Sequence, residues 1–218
     1  MLTKIAKYDI FVKIIRLMER RLDLVNKKCI ALTEEQYKES IALLRSGFDL
    51  DGVSVRANPR IATIEVLQAC LGLRLGDVLK LKMSSFIKDG NRWRLDIVEQ
   101  KTKKVRNFTV PVEVYSFIQQ YAIDSNIGKD VKLFDISERQ VERQLSKVFS
   151  KMDLPLKSYS SHSYRKYFAT QVYVNNDFNI QLVQTLLQHS SVQTTQRYLS
   201  IGSKQIEDAL AMTAASIV

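Results

Sequence analysis

Through most of this chain apolar residues recur at three- and four-residue steps, and only between Phe86 and Val110 does the step shorten to two. A repeat near 3.6 buries one face of a helix and a repeat of two buries one face of a strand, so the chain is constrained to packed helices carrying one short sheet. From Lys4 to Lys28 the residues Ile5, Tyr8, Phe11, Val12, Ile15, Met18, Leu22 and Val25 describe a long amphipathic helix. Thr33 and Gln36 form a capping box for a second helix through Tyr37, Ile41, Leu43 and Leu44. Gly47 and the Asp49-Leu50-Asp51-Gly52 turn end it, and a loop is expected to follow. Pro59 starts a largely apolar, buried helix of Ile61, Ile64, Val66, Leu67, Cys70 and Leu71 that stops near Gly72. Phe86 to Lys88, Trp93 to Val98 and Val105 to Val110 read as an antiparallel meander with a turn at Asp89-Gly90-Asn91 and a stop at Pro111. Further helices are expected over 113–123, 138–152, 163–174, 180–187 and 203–212. The fold class expected is mainly α with a small antiparallel β-sheet, that is, α+β.

A chain of 218 residues allows one or two domains, and a compact fold of that size buries about 70% of its unfolded surface. The 45% hydrophobic and 26% charged composition, with 7 Gly and 3 Pro, excludes disorder and collagen-like repeats. No apolar run is long enough for a membrane span and no signal-peptide core opens the chain, so a cytoplasmic protein with no membrane partner is expected. Cys29 and Cys70 are too few for a disulfide framework or a zinc site and are expected to be buried thiols in a reducing compartment.

The net charge of +10 and a pI near 9.6 favour a polyanionic partner, because Lys and Arg that displace phosphate counterions bind nucleic acid without regard to sequence. Charge alone is equally compatible with a solvated basic surface, so the placement of particular residues must decide. Arg74 lies in the apolar stretch Leu71-Gly72-Leu73-Arg74-Leu75-Gly76-Asp77, where a charge needs compensation. It either pairs with Asp77 or is aimed at phosphate. Lys101 heads Lys101-Thr102-Lys103-Lys104 between two strands. His162 and Arg165 sit one helical turn apart at the start of a helix, whose N-terminus either suits an anion or is simply capped by Ser160, Ser161 and Ser163. Downstream come Gln188-His189-Ser190-Ser191 and Thr194-Thr195-Gln196-Arg197-Tyr198, the latter in a short helical segment. The only two histidines of the chain thus each stand beside a candidate phosphate-binding or nucleophilic group.

This ordered set resembles the tyrosine recombinase, or phage integrase, family, whose fold is shared with type IB topoisomerases. Arg74 resembles the family's first arginine, Lys101 its hairpin lysine, His162-Ser163-Tyr164-Arg165 its His-x-x-Arg box, and His189 and Tyr198 its final histidine and tyrosine. The likeness runs from about residue 31 to the C-terminus, so residues 31–218 are expected to form the catalytic domain. Residues 1–30 would supply an N-terminal amphipathic helix or the remnant of a DNA-clamping domain, as in a short recombinase or an excised catalytic segment. Gln188 departs from the glycine usual before the last histidine.

The resemblance implies a site-specific recombinase or integrase that cuts and rejoins double-stranded DNA through a 3′-phosphotyrosine on Tyr198. Arg74 and Arg165 would hold the phosphate, and Lys101 would protonate the leaving 5′-oxygen, with Lys103 and Lys104 as nearby substitutes. His162 would assist proton transfer at the tyrosine and His189 would bind a phosphate oxygen. No cofactor, metal or ATP is expected. The partners implied are double-stranded DNA, further copies of the chain in a DNA-bound tetramer and accessory DNA-bending proteins, with a nucleoid location in a prokaryote. The 203–212 helix would either dock on a neighbouring protomer or pack on its own domain. A relaxing topoisomerase of type IB and a catalytically idle DNA-binding protein are the alternatives.

Overall fold

The computed structural model describes residues 29–101 and 103–199. The helices expected over 4–28 and 203–212 lie outside these residues. In chain order the elements are α1 (Glu34–Ser46), β1 (Phe48–Leu50), β2 (Val53–Val55), α2 (Pro59–Leu71), α3 (Leu75–Val78), a 3₁₀ turn (Met83–Ser85), β3 (Phe86–Asp89), β4 (Arg92–Val98), β5 (Val105–Val110), α4 (Val112–Asp124), α5 (Glu138–Lys151), α6 (Ser161–Asn175), α7 (Ile180–Leu187) and α8 (Val192–Leu199). The mainly α architecture with small antiparallel sheets agrees with the periodicity.

Local chemistry accounts for the boundaries. Thr33 and Gln36 form the anticipated reciprocal cap of α1, Ser137 and Gln140 repeat it on α5, and Ser160 and Ser163 form one on α6. Pro59 begins α2 behind an Asn58 cap, and Gly72 ends it in a left-handed conformation at φ 59°. Where a plain loop was expected after α1, Phe48–Leu50 pairs with Val53–Val55. Asp51 and Gly52, at φ 52° and 78°, supply the two positive-φ residues of a tight hairpin turn. The meander is ordered β3-β4-β5, with Phe86 opposite Leu95 and Trp93 opposite Val110. Its inward row of Phe86, Leu95 and Val110 is buried.

Helix α2 runs through the centre, packed against α1, α3, α4 and α6. Ile61, Ala62, Ile64, Leu67 and Leu71 enter a core that also takes Leu44, Leu73, Leu81, Phe134, Leu145, Val148 and Tyr164. Each Ile, Leu, Val or Phe side chain among them contributes about 1.5–3 kcal/mol by leaving water. Because α2 is covered on most sides, Glu65 and Gln68 are buried with the aliphatic residues, which the apolar periodicity did not indicate. Conversely, Cys70 is exposed and Cys29 half-buried, so neither thiol is buried as expected. Cys70 falls on the solvent side of the last turn of α2, and Cys29 lies against Ser160 and Ser163 at the start of α6. Ala169, Val183 and Leu187 form a second, smaller cluster with Phe168, Val172, Tyr173, Tyr198 and Leu199, which fastens α7 and α8 to α6.

Candidate active site

The two ends of the site are brought together by the carbonyl oxygens where α2 and α7 stop. Gly72 turns the chain in the left-handed region, and a Cβ placed there would lie 2.4 Å from the Phe168 ring. Only glycine fits. Its carbonyl oxygen accepts hydrogen bonds from Arg165 of α6 and, at 3.1 Å, from Arg106 of β5. Arg106 also donates to Leu71 O at 2.9 Å and Leu186 O at 2.8 Å, and Arg165 to Leu187 O at 3.3 Å. Helix C-termini carry partial negative charge and unpaired carbonyls, so two guanidiniums satisfy both ends at once.

Arg74, the N-terminal flank of α3, is a quarter exposed and forms a 2.5 Å ion pair with Glu99, which is fully buried. The partner weighed from the sequence, Asp77, does something else: its carboxylate accepts the Gln100 backbone N–H at 2.8 Å. That bond ties the chain just before Lys101 to α3. Arg106 is the second cation of Glu99, at 3.5 Å. Burial pushes the Arg106 guanidinium down to about 10, Arg165 and Arg74 push the same way, and Glu99 opposes them. Arg165, 1% exposed, is also lowered by burial, and Tyr198 is the foremost group drawing it back up. Arg74, Arg106 and Arg165, set against the carboxylates of Glu99 and Asp77, leave a surplus of positive charge in a low-dielectric interior. An anion is the natural complement.

Tyr198, on α8, is enclosed by groups from α6 and from the turn after α7. The His162 ring stands edge-on to it with centroids 5.2 Å apart at 86°, and the His189 ring 5.0 Å away at 69°. The Lys166 ammonium lies 5.1 Å from the ring centroid. Burial pushes the Tyr198 phenol up to about 12, while the Arg165 charge pulls against that rise. Burial first, and then the surrounding cations, depress both imidazoles to about 4, so they are neutral at neutral pH. His189 Nδ1 is engaged by the buried Thr195 hydroxyl at 3.0 Å, which fixes the ring.

Lys101 lies in the connection between β4 and β5. With Arg74, His162, Gln100 and Glu142 it lines a cavity of about 500 Å³. The six residues singled out from the sequence, Arg74, Lys101, His162, Arg165, His189 and Tyr198, therefore gather in one region although they span elements from α3 to α8. The start of α6 is not an open anion site, however. Ser160 caps it, and Glu142 of α5 accepts from Ser161 N at 3.2 Å and Ser161 Oγ at 2.6 Å.

Four participants were not read from the sequence: Glu99, Arg106, Glu142 and Lys166. Two had a signal. Arg106 shares the inward face of β5 with Phe108 and Val110, a charge in a core row, and Lys166 follows His162 by four residues on one face of α6. Gln188 reports a constraint of another kind: it caps α7 at φ 54°, the conformation a glycine adopts freely, and its side chain donates to Val105 O at 3.1 Å. The departure from glycine therefore leaves the backbone in the glycine-like state.

Comparison with known proteins bears on this arrangement. A tyrosine recombinase XerC of Leptospira interrogans is 29% identical over 154 residues, which are 67% of this chain and 48% of that protein. The catalytic domain of the bacteriophage HP1 integrase has the same fold, with a TM-score of 0.58 at 20% identity over 87% of this chain and 98% of that one. The XerH site-specific recombinase in a pre-cleavage complex with its difH substrate superposes with a TM-score of 0.60 at 19% identity, over 83% of this chain and 53% of that one. The chain spans about half the length of the curated relatives it matches. The sequence model of the phage integrase family matches residues 31–204, and the chain belongs to that family, the tyrosine recombinases.

Proposed function

We propose that this chain is the catalytic part of a site-specific recombinase or integrase that cleaves double-stranded DNA and rejoins it through a phosphotyrosine. The observation that carries this reading is the enclosure of Tyr198 by His162, His189, Lys166 and Arg165, beside a cavity lined by Arg74 and Lys101. The DNA-bound state of the XerH relative supports DNA as the substrate.

In this reading Tyr198 Oη attacks the scissile phosphorus. The new P–O bond forms as the bond to the 5′-oxygen breaks, and the electron pair of that bond leaves with the oxygen. A phenol raised to about 12 must shed its proton during attack, and in this reading His162, whose ring stands edge-on to the tyrosine, takes it. Lys101 gives a proton to the departing 5′-oxygen. Arg74 and Arg165 hold the non-bridging oxygens, where charge accumulates, and His189 donates to one of them. One phosphoester replaces another, so a 5′-hydroxyl from a second strand reverses the step without ATP, and no step calls for a metal. Assembly of copies into a tetramer on paired DNA sites, with DNA-bending proteins, would bring that second strand within reach.

The experiment is covalent trapping on nicked suicide duplexes, in which the cleaved 5′ fragment diffuses away. Wild type should accumulate a denaturant-resistant adduct, and Tyr198→Phe should form none while still binding DNA. An adduct of normal yield in the phenylalanine variant would remove Tyr198 from its role. Strand exchange between two cloned sites then supports recombination, whereas relaxation of supercoils without exchange would point to a topoisomerase.

A further inference from the structure

We propose that Lys166 is a positioning residue for the nucleophile, its ammonium holding one face of the Tyr198 ring and favouring the phenolate as attack proceeds. The inference rests on Tyr198 being the nucleophile. Lys166 is 4% exposed, and its Nζ lies 5.1 Å from the ring centroid. A lysine is among the residues least often buried, and packing of its stem does not explain the charge, since methionine would fill the space without the desolvation cost. The face of the Tyr198 ring is one partner for it: a cation over an aromatic ring is attracted to the ring quadrupole, and more strongly when water is excluded.

The attraction grows during the reaction. As the phenol loses its proton, an ion–quadrupole contact becomes an ion–ion contact in a low-dielectric interior, so Lys166 binds the transition state more tightly than the resting state. Arg165 also draws the phenol toward its ionised form, but it does so while donating to Gly72 O and Leu187 O rather than from over the face of the ring. The geometry follows from α6, which puts His162, Arg165 and Lys166 at i, i+3 and i+4 on one face toward α8. Among the described residues, the ionisable groups around Tyr198 are these three, His189 after α7, Arg74 before α3 and Cys29 before α1. Of these, Lys166 is the one that lies over the face of the ring.

The test uses the full chain on a nicked suicide duplex, measuring single-turnover adduct formation for wild type, Lys166→Met and Lys166→Arg. The methionine variant should be slower by about ten-fold or more, the scale of a desolvated cation–π contact, and arginine should restore most of the rate. Placing 3,5-difluorotyrosine at position 198 supplies a more acidic phenol and should narrow the gap between wild type and Lys166→Met. A merely structural role would leave that gap unchanged. The proposal is overturned if a folded Lys166→Met forms adduct within about two-fold of wild type, or if the fluorinated phenol fails to narrow a real deficit. If wild type itself forms no adduct, the assignment of Tyr198 falls first and this role falls with it.

Discussion

Arg165 donates a hydrogen bond to the carbonyl oxygen of Gly72, a residue 93 positions earlier in the chain. The contact joins the end of α2 to the helix that carries His162 and Lys166, and it exists because Gly72 has no side chain to hold the Phe168 ring away. Gly72→Ala should therefore do two things. Left-handed backbone at a non-glycine residue costs about 1–2 kcal/mol, and displacement of Phe168 adds to it, so denaturant titration should show a loss of at least ~2 kcal/mol. Adduct formation should fall further than that instability explains, because Arg165 loses its anchor. Wild-type cleavage in a folded Gly72→Ala protein would show the anchor to be dispensable.

Removing the cations proposed to hold the phosphate should have a larger effect on chemistry than on stability at one position and on both at the other. Arg74→Ala and Arg165→Ala are each expected to slow cleavage at least ~100-fold, with lysine a poor substitute for a planar guanidinium. Arg165 is buried, so Arg165→Ala should also lower the melting temperature substantially, and Arg74→Ala should lower it less, because Arg106 remains as a second cation for the buried Glu99. Single-turnover cleavage and thermal unfolding, measured on the same preparations, separate the two.

Lys101 is assigned the proton of the leaving 5′-oxygen. A DNA in which sulfur replaces that bridging oxygen releases a thiolate, whose conjugate acid has a pKa near ~8.5, and needs no proton donor. Lys101→Ala should cut oxygen DNA slowly and sulfur DNA at close to the wild-type rate. A defect of equal size on both substrates would move the acid elsewhere on the hairpin, to Lys103 or Lys104.

Glu65 is buried on α2, and neither carboxyl oxygen has a hydrogen-bond partner among the described residues. Burial, and secondarily the charge of Glu142, hold its pKa well above 4.5. For a carboxyl raised in the folded state, the stability is fully present below the unfolded pKa and is lost as pH rises toward the folded one. Glu65→Gln removes this titration. Its stability relative to wild type should increase by up to about 1.4 kcal/mol per pH unit above pH ~4.5, then level off. Urea titrations between pH 4 and pH 8 measure the slope, and a pH-independent difference would show Glu65 to be ionised in the fold.

Gln188 separates backbone strain from side-chain bonding. Gln188→Ala loses the bond to Val105 and keeps the left-handed strain, whereas Gln188→Gly loses both. The glycine variant should be the more stable of the two by about 1 kcal/mol. An alanine variant equal to or above glycine in urea midpoint would mean the turn relaxes out of the left-handed region.

Period and caps were enough to read the described helices other than the four-residue α3, and the meander, and motif order singled out six residues that the fold brings into one region, because these are local properties carried by spacing along the chain. The start of α6 was read two residues late, since the Ser160 cap and the apolar period disagree there. The short pairing of β1 with β2 was missed because three-residue strands show no period, and only Asp51-Gly52 announced it. What the tertiary structure alone decided is who compensates whom. Arg74 took Glu99 rather than its neighbour Asp77, Glu142 filled the start of α6, and Arg106 joined Arg165 on the carbonyl of Gly72. Buried charge is neutralised by whatever group the packing of distant elements brings within a few ångströms, and sequence separation carries no information about that distance.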